Sequence, residues 1–525
     1  MRKAILLSFL FSLTSLLYAQ TERVPLILGG ELGNSSAACT DDISRLFPKL
    51  ERMGLNTVLV PAYWELTEPE EGVFDFSLTD KVLAQARENH LKVIFLWFGA
   101  WKNSMSCYAP LWFKENYKKY PRSYNEQGKP LEIASVFSEN VFQADNRAFT
   151  RWLKHIAEAD KEFGTVIMIQ IENEIGMLES ARDHSKEADR LYHAAVPAPL
   201  MSYLLKHKEQ LHPTFAALWE ANGFKTSGNW EQVFGPGLYT QEIFMAYHYA
   251  LYVGKMAAGA KAIYDIPYYV NAAMNSRGRK PGEYPSAGPL PHLIDIWRCG
   301  APDLSFLAPD IYDPGFPEWV ARYDLPGNPL FIPECQRCEN SGVRAFYAFG
   351  EHDALGFSPF SIEDGSDAPD ASLVKSYRTL AELAPLISAN RGQGTMHGLL
   401  FDQEHPERVL VRDAMKITCR HYFTLPWDPR ATDGSVWQEG GGILIRLAEG
   451  EYLLAGSGLV VTFENESGDG KDRIGIGSVE QVRVGKDGTF TTVRRLNGDQ
   501  THQGRHVCIP MGDFQILKCK LYKYR

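Results

Sequence analysis

The stretch "VIMIQIENEIG", residues Val166 to Gly176, joins an apolar run to a cluster of polar side chains. Val166 to Ile169 carries no polar residue, which is typical of a strand buried on both faces of a parallel sheet. Two carboxyl groups, Glu172 and Glu174, follow the run almost at once. A buried strand that ends in acidic side chains predicts that its carboxyl end opens onto a site where those acids are used.

Short apolar runs of this kind recur along the chain and alternate with helical patterns. Helices are predicted from Thr40 to Gly54 and from Asp145 to Gly164, each with a polar start signal and a glycine stop signal. Because eight buried parallel strands separated by helices close a (β/α)8 barrel, the predicted fold is α/β, a TIM barrel. The eight runs are Pro25 to Leu28, Thr57 to Pro61, Lys92 to Trp97, Val166 to Ile171, Tyr268 to Asn271, Leu304 to Asp310, Leu330 to Pro333 and Gly356 to Phe360.

Length and composition predict two domains. The chain has 525 residues, of which 45% are hydrophobic and 22% charged, enough to bury more than one core. The barrel is predicted to occupy residues 21–388, with a helical insertion at about 177–265, and an accessory domain residues 389–525. The formal net charge is −10 and no long basic run occurs, which argues against a nucleic-acid partner.

The chain after residue 388 changes to short alternating strands. In Gln515 to Tyr522, the side chains of Leu517, Cys519 and Leu521 share one face, and Lys518 and Lys520 share the other. This alternation is typical of a half-buried antiparallel strand, so a C-terminal β-sandwich is predicted. It is either a carbohydrate-binding module or an accessory domain packed on the barrel. The other strands predicted there are Gly442 to Leu447, Glu451 to Gly456, Leu459 to Phe463 and Thr489 to Arg494.

The amino terminus is typical of a secretory signal peptide. Arg2 and Lys3 precede an apolar stretch, Ala4 to Leu17, and Tyr18 to Gln20 offers a small-residue cleavage site. An uncleaved anchor is the alternative, although a span needs roughly 20 apolar residues. Residues 1–20 are therefore predicted to be removed on export to the periplasm or the medium, and no membrane span is predicted in the mature chain.

The cysteines and acidic residues indicate neither a metal nor a cofactor. Eight cysteines are spread widely, so one or two disulfide bridges are compatible with the sequence but no pairing follows from it. Cys335 and Cys338 form a C-x-x-C pair, which without a second ligand pair is more typical of two incidental loop cysteines than of a zinc site. No oligomeric state follows from the sequence.

Two predicted strands end in an acid that could act on a sugar. Glu174 follows the fourth strand and Glu334 follows the seventh, on opposite sides of one barrel mouth. Two carboxyl groups so placed can flank a glycosidic bond, one donating a proton to the leaving oxygen and the other attacking the anomeric carbon. The alternative is that both acids cap the helices that follow them.

These motifs resemble glycoside hydrolase family 35, the β-galactosidases of clan A. "IQIENEIG" with Glu174 is similar to the family's acid/base motif, and "FIPECQ" with Glu334 to its nucleophile strand. The segments 56–77 and 109–113 resemble the second strand with its loop and the segment after the third strand. The resemblance covers roughly residues 24–385 and implies a TIM barrel, a retaining mechanism, a carbohydrate substrate and no cofactor.

Further site residues are predicted from strand ends and from the resemblance. Asn173 is placed to hydrogen-bond the sugar 2-hydroxyl, and Tyr312 resembles the clan tyrosine that hydrogen-bonds the nucleophile, the alternative being a rim aromatic. Glu172 either supports Asn173 or binds substrate hydroxyls. Barrel geometry adds a last group, for which ordinary loop packing is the alternative: Asn34, Trp101, Asn103, Asn275 and Phe360.

The sequence departs from the family pattern at the first strand, "LILGGELGNSS", and at the eighth, "GFSPFSIE". Such changes at the sugar pocket favour an exported exo-β-galactosidase that acts on plant-type oligo- or polysaccharides, for example on xyloglucan side chains. An endo-acting β-glycanase of the same clan and a non-catalytic carbohydrate-binding barrel are the alternatives. The helical insertion is predicted to wall the pocket, so that deletion of residues 194–223 would change substrate preference more than stability.

Overall fold

A computed structural model describes residues 26–274, 278–466, 472–496 and 498–525. The predicted signal peptide, residues 1–20, and the candidate Asn275 lie outside the described residues. Within them the (β/α)8 barrel and the C-terminal antiparallel sheets are both present, so the predicted fold class is confirmed.

Eight parallel strands form the barrel sheet, and each overlaps one of the eight apolar runs. In chain order they pair as β2 with β3, β3 with β6, β6 with β7, and onward through β8 and β9 to β10 and β1. All but β3, β6 and β7 are buried along their whole length, and those three have one half-buried residue each, respectively Lys92, Ile167 and Ala273. They are β1 (Ile27–Leu28), β2 (Thr57–Tyr63), β3 (Lys92–Lys102), β6 (Val166–Asn173), β7 (Tyr268–Ala273), β8 (Phe306–Ile311), β9 (Ile332–Cys335) and β10 (Gly356–Pro359).

The barrel closes through the residues that follow β1. Glu31 pairs in parallel with Leu59 of β2 and with Phe360 just after β10. The amide of Leu59 donates to Gly30 O at 2.9 Å, and the amide of Leu32 donates to Leu59 O at 3.0 Å. A Cβ at Gly30 would lie 2.5 Å from the side chain of Ile362, so only glycine fits at this crossing. Closure of the sheet therefore fixes the backbone of Glu31.

Helices connect successive strands and cover the outside of the barrel. A small hairpin, β4 (Arg122–Tyr124) with β5 (Pro130–Ala134), extends the loop after β3. The connecting helices are α1 (Thr40–Arg52), α2 (Trp64–Thr67), α3 (Ser77–Glu88), α4 (Leu111–Glu115), α5 (Glu139–Ala159), α6 (Lys186–His193), α7 (Ala198–Lys206), α8 (Pro213–Ala221), α9 (Trp230–Phe234), α10 (Leu238–Lys261), α11 (Ile294–Gly300), α12 (Phe316–Tyr323), α13 (Ser341–His352) and α14 (Ser372–Asn390).

The segment predicted as a helical insertion has two parts with different roles. Helix α10, the longest of the described helices, is the barrel's own connection from β6 to β7, with fifteen of its residues buried among its neighbours. Helices α6 to α9 are the added part. Three of their large side chains, Phe215, Trp219 and Trp230, are at most 3% exposed and belong to the main core. These helices therefore belong to the core, which argues against the expectation that their loss would spare stability. That they wall the pocket stays a prediction.

Two antiparallel sheets follow the barrel. The first, a six-stranded sheet, has the order β11-β14-β15-β20-β17-β18, and the second, a four-stranded sheet, has the order β12-β13-β16-β19. The strands are β11 (Met396–Phe401), β12 (Glu407–Arg412), β13 (Met415–His421), β14 (Gly440–Ala448), β15 (Glu451–Ser457), β16 (Leu459–Asn465), β17 (Arg473–Val484), β18 (Phe490–Arg495), β19 (Val507–Ile509) and β20 (Gln515–Tyr524).

The six-stranded sheet lies between the barrel and the four-stranded sheet. On one face Ile443, Leu453 and Ile516 join the barrel core. On the other face Leu444 and Leu454 pack with side chains of the four-stranded sheet in a second core. Because successive strand residues point to opposite faces, one strand serves both cores. The C-terminal domain is thus packed on the barrel, as one of the two sequence interpretations proposed.

Charged contacts tie the two domains together. Arg344 of α13 makes two hydrogen bonds to Glu439, at 2.8 and 2.6 Å, and the pair is largely buried. Arg408 donates to Glu351 at 2.9 Å. Bidentate arginine–carboxylate pairs fix orientation as well as adding stability. The relative position of the domains is therefore held by directional contacts in addition to apolar packing.

All eight cysteines are free thiols in the structure, so the bridges considered from the sequence are not formed. Cys335 is buried at the end of β9, and Cys338 lies three residues on in the loop before α13. Among the described residues, none of the helices has both the length and the apolar composition that crossing a bilayer requires.

The burial of the insertion gives a stability prediction. Trp219→Ala should lower the free energy of unfolding by about 3–5 kcal/mol, because a fully buried indole is replaced by a cavity. Trp427→Ala is the matched control, since Trp427 is 52% exposed and its loss should cost little. Urea denaturation followed by circular dichroism measures both. Equal stability of the two variants would show that the insertion is not part of the core.

Candidate active site

Three acidic side chains meet at the carboxyl ends of the barrel strands. Glu174 follows β6, Asp310 lies near the end of β8, and Glu334 lies in β9, where its backbone is in register with Asp310. One carboxylate oxygen of each lies within 4.8 Å of the others. Glu174 and Glu334 are only 5% and 4% exposed. The fold therefore brings the two predicted acids together at the bottom of the mouth, with a third acid that the sequence interpretation did not select.

Glu174 is held in place from several sides. Its backbone has a positive φ of 46°, and its amide donates to Asn271 Oδ1 at 2.9 Å. The side-chain amide of Asn103 donates to Glu174 Oε2. Burial, followed by the charge of Glu334, raises the pKa of Glu174 to about 7. A carboxyl group with such a pKa can hold a proton near neutral pH and release it in a reaction.

The carboxyl group of Glu334 contacts Tyr312, the partner predicted for it, through one of its two oxygens. The hydroxyl of Tyr312 donates to Glu334 Oε1. Glu334 Oε2 is buried and finds no hydrogen-bond donor among the described residues. Tyr312 itself is 45% exposed, so its ring reaches the surface of the mouth while its hydroxyl contacts the acid. The contact predicted for Tyr312 is present.

Asp310 and Asn271 link β7 and β8 beneath the two acids. Asn271 Nδ2 donates to Asp310 Oδ2 at 2.6 Å, while its Oδ1 accepts from the amide of Glu174. Burial, and then the charges of Glu334 and Glu174, hold the pKa of Asp310 well above its ordinary value. Asp310 thus lies beside Glu174, with one carboxylate oxygen within 4.8 Å of an oxygen of Glu174. Both residues stand at predicted strand ends, and that position was the only sequence signal for them.

Glu31 and Lys102 complete the charged groups of the mouth. Glu31 is 1% exposed, and its Oε1 has no hydrogen-bond partner among the described residues. Burial, and then the charge of Glu334, raise the pKa of Glu31 well above its ordinary value, whereas the positive charge of Lys102 lowers it. Lys102, at the end of β3, is 3% exposed. Neither residue was selected from the sequence, although both follow predicted strands.

Asn173 lies beside Glu174 with free hydrogen-bonding capacity. It is fully buried, and neither polar atom of its side chain has a partner among the described residues. A buried amide without partners is costly unless a ligand or water satisfies it. The geometry therefore agrees with a role of Asn173 in binding a polar group in the mouth.

Glu172 points away from the mouth, which decides between its two interpretations. Its Oε2 accepts from the amide of Trp101 at 2.8 Å, and the charge of Asp145 of α5 is, after burial, the next cause that raises the pKa of Glu172. Asp145 in turn accepts from Trp97 Nε1 at 2.9 Å and from the hydroxyl of Tyr252 at 2.8 Å. Burial raises the pKa of Glu172 well above its ordinary value. Glu172 is thus a buried group that faces β3 and α5 and does not face the mouth.

The remaining candidates fall in different places. Trp101 is fully buried, its ring edge-on to Tyr249 and Tyr252 of α10, so it packs outside the barrel and not at the mouth. This is a correction, and its cause is the alternation of side chains along β3. Phe360 is half-buried beside Glu31 in the barrel closure. Asn34 is half-buried, with an Oδ1 that lacks a donor among the described residues.

The acidic cluster raises the question of a metal. Glu174, Asp310 and Glu334 form the only group of three His, Cys, Asp or Glu side chains close enough to share an ion within the described residues. Carboxylates bind metals in the deprotonated form, and two of these three acids have raised pKa values that favour the proton. The protonation states thus suit acid chemistry better than ion binding, and the absence of a metal stays a prediction.

Comparison with known families matches two parts of the chain. Residues 37–248 match glycoside hydrolase family 42, described as beta-galactosidase. Residues 373–508, from α14 to β19, match a family described as a domain of unknown function (DUF5597). The sequence motifs resemble family 35, but the family model that matches the barrel is that of family 42. Both are β-galactosidase families of clan A. The match supports a glycoside hydrolase. No curated protein matches the chain.

Solved structures of similar fold are distant. β-Galactosidases from Rahnella sp. R3, Marinomonas ef1 and the haloarchaeon Halorubrum lacusprofundi are 16%, 13% and 15% identical, with TM-scores of 0.47, 0.46 and 0.45. These alignments cover 70%, 69% and 68% of this chain. The chain spans 57%, 60% and 58% of their lengths.

The raised pKa of Glu174 predicts a pH-dependent loss of stability. In the unfolded chain a glutamic acid ionises near pH 4.3, whereas folded Glu174 keeps its proton to about pH 7. Its contribution to stability is therefore lost as the pH rises between these values. The variant Glu174→Gln has no group that ionises at this position, so it does not lose this contribution. The difference in free energy of unfolding, variant minus wild type, should therefore increase by on the order of 3 kcal/mol from pH 4.5 to 7. Denaturant titrations across this range measure the gain, and a constant difference would contradict it.

Proposed function

We propose that the protein is an exported retaining exo-β-galactosidase that removes terminal β-linked galactose from plant-type oligo- or polysaccharides. The observation that carries the proposal is the pair Glu174 and Glu334, with carboxylate oxygens within 4.8 Å of each other at the bottom of the barrel mouth. The match of residues 37–248 to a β-galactosidase family supports the same activity. Export from residues 1–20, and a periplasmic or secreted location, are part of the proposal.

The separation of the acids favours retention of anomeric configuration. Retaining glycosidases have carboxyl groups about 5–5.5 Å apart, because the second acid must reach the anomeric carbon itself. Inverting enzymes need about 6.5–9.5 Å to hold a water molecule between acid and sugar. Nearest oxygens within 4.8 Å agree with the first class.

The residues take complementary roles in the two steps. In the first, Glu174 gives its proton to the glycosidic oxygen while a carboxylate oxygen of Glu334 bonds to the anomeric carbon and the aglycone leaves. In the second, Glu174 takes a proton from water, the water oxygen bonds to the anomeric carbon, and the ester bond to Glu334 breaks. A pKa of about 7 for Glu174 suits both the donation and the acceptance of a proton near neutrality.

Substrate contacts are assigned to the unpartnered groups of the mouth. Asn173, whose side-chain amide is buried without partners, is placed to bind the sugar 2-hydroxyl. A hydrogen bond at that hydroxyl strengthens in the transition state. The near-complete burial of Glu174 and Glu334 supports exo action, because a chain end can enter a deep pocket more readily than the middle of a polysaccharide. An endo-acting glycanase remains the second candidate.

Glu334→Ala tests the nucleophile and the anomeric outcome together. The variant should be inactive on a nitrophenyl β-galactoside, and added azide should restore turnover and yield the inverted α-galactosyl azide. Nuclear magnetic resonance of the product measures the configuration. A variant with wild-type activity, or a wild type that gives an α-configured sugar, would contradict the assignment. Digestion of a galactosylated oligosaccharide then separates exo action, which releases only galactose, from endo action, which releases oligosaccharides.

Glu174→Gln tests the acid/base role. With an alkyl β-galactoside, kcat/KM should fall by about 10²–10⁴-fold, because the leaving group no longer receives a proton. With the dinitrophenyl galactoside the loss should be small, since that aglycone needs no proton. In wild type, kcat/KM for the alkyl galactoside should decline above about pH 7 as Glu174 ionises, and the variant should lack this decline. An equal loss on both substrates would show that Glu174 is not the acid.

A further inference from the structure

Lys102 is a buried lysine whose amino group has no polar partner. The residue lies at the end of β3 and is 3% exposed. Its Nζ lies over the ring of Phe98, 5.2 Å from the ring centre, and makes neither a hydrogen bond nor an ion pair with the described residues. A charged amino group buried in this way is costly, because all of its donors need acceptors. Such a group indicates a ligand that brings the acceptors.

The alternation of side chains along β3 directs Lys102 into the mouth. Trp101, the residue before it, packs edge-on against Tyr252 of α10, outside the barrel. Gly99 faces the same side, since a Cβ built there would lie 2.6 Å from Asp145 Oδ1 of α5. Because successive strand residues point to opposite faces, Lys102 points inward.

Asn173, which also lacks polar partners, is the neighbour of Lys102 in the sheet. The two residues are in register on β3 and β6, and the amide of Asn103 donates to Asn173 O at 3.2 Å. Neighbouring strands lie about 4.8 Å apart. Neither polar atom of the Asn173 side chain has a partner among the described residues. Two adjacent positions of the sheet therefore offer unsatisfied hydrogen-bonding groups side by side.

The surrounding acids favour a neutral ligand for Lys102. Glu31, Glu174, Asp310 and Glu334 are buried in the same mouth, so an anionic sugar would meet their repulsion. Hydroxyl oxygens accept hydrogen bonds from an amino group and bring no charge. The acceptors that suit Lys102 are therefore the hydroxyl groups of an uncharged sugar.

We propose that Lys102 is a substrate-binding residue that donates a hydrogen bond to the 3-hydroxyl oxygen of the terminal galactose. The proposal rests on the function proposed above, in which Asn173 binds the 2-hydroxyl. Since carbon 1 carries the aglycone, the other neighbour of the 2-hydroxyl is the 3-hydroxyl, which matches the position of Lys102 beside Asn173. Because the lysine is 3% exposed, a substituent on that oxygen finds no room. The substrate class is thus terminal galactose with a free 3-hydroxyl.

A double change, one in the enzyme and one in the sugar, measures this contact. The value of kcat/KM is determined for wild type and Lys102→Met with nitrophenyl β-galactoside and with its 3-deoxy analogue. In wild type, loss of the 3-hydroxyl should lower kcat/KM by about 10–150-fold, the effect of one hydrogen bond to a charged group. In Lys102→Met the two substrates should differ by less than about threefold. The 6-deoxy analogue should show no such coupling.

Lys92→Met is the matched control for loss of a lysine from the same strand. Lys92 stands at the other end of β3, where it donates to Gly164 O at 2.7 Å. This variant should keep the wild-type preference for the substrate with the 3-hydroxyl.

Two side effects of Lys102→Met are separated from the contact. The charge of Lys102 lowers the pKa of Glu174, and its loss acts equally on both substrates and cancels in their ratio. Methionine replaces a buried unpaired charge with an apolar chain of similar length, so the melting temperature should be no lower than that of wild type.

Three results would overturn the proposal. A wild type that hydrolyses the 3-deoxy analogue as well as the galactoside would show that the 3-hydroxyl is not bound. Equal losses on both substrates in Lys102→Met would show that the lysine acts only through its charge. Coupling to the 6-hydroxyl instead would place Lys102 elsewhere on the sugar.

Calorimetry separates the contact from the proposed activity. Wild type should bind galactose more tightly than 3-deoxygalactose, and Lys102→Met should lose this preference. A wild type that shows the preference but hydrolyses none of the galactosides would refute the proposed galactosidase activity and leave the contact of Lys102 standing.

Discussion

Repulsion among four carboxyl groups buried at one end of a closed barrel is the constraint on which the site depends. Glu31, Glu174, Asp310 and Glu334 are each at most 5% exposed. A buried carboxylate costs several kcal/mol unless it is paired or protonated. Burial raises the pKa values of Glu31, Glu174 and Asp310, so that the protonated form is favoured at these positions.

Such a cluster of buried acids persists only on a rigid frame, because exposure to solvent would relieve the repulsion. The parallel strands supply that frame, and each acid stands on a different strand or just after it. Asn271 ties two of the acids together through its side chain, and the backbone of Glu31 is fixed where the barrel closes. Behind the mouth, Glu172 and Asp145 are two further buried acids, and burial raises the pKa of both. Preorganisation of this kind is what acid–base chemistry requires.

The outer layers protect this frame. The six-stranded sheet covers α13 and α14 on one face and carries the four-stranded sheet on the other, so that it belongs to two cores at once. The helices α6 to α9, which lie between β6 and β7 in the chain, extend the barrel core with the buried side chains of Trp219 and Trp230. Parts that look accessory in the sequence therefore contribute to the stability of the barrel.

The sequence by itself determined the barrel, the order of its strands and the placement of Glu174 and Glu334 at strand ends. A continuous apolar run identifies a buried strand without information from distant residues, and the carboxyl ends of the barrel strands meet at one mouth. It also indicated Asn173 and Tyr312 through the family resemblance. Only the tertiary structure decided that Trp101 packs outside while Lys102 and Glu31 enter the mouth, and that Glu172 faces Asp145. A side chain's direction depends on register and twist, and a carboxyl group's protonation depends on neighbours far away in sequence, neither of which a local pattern encodes.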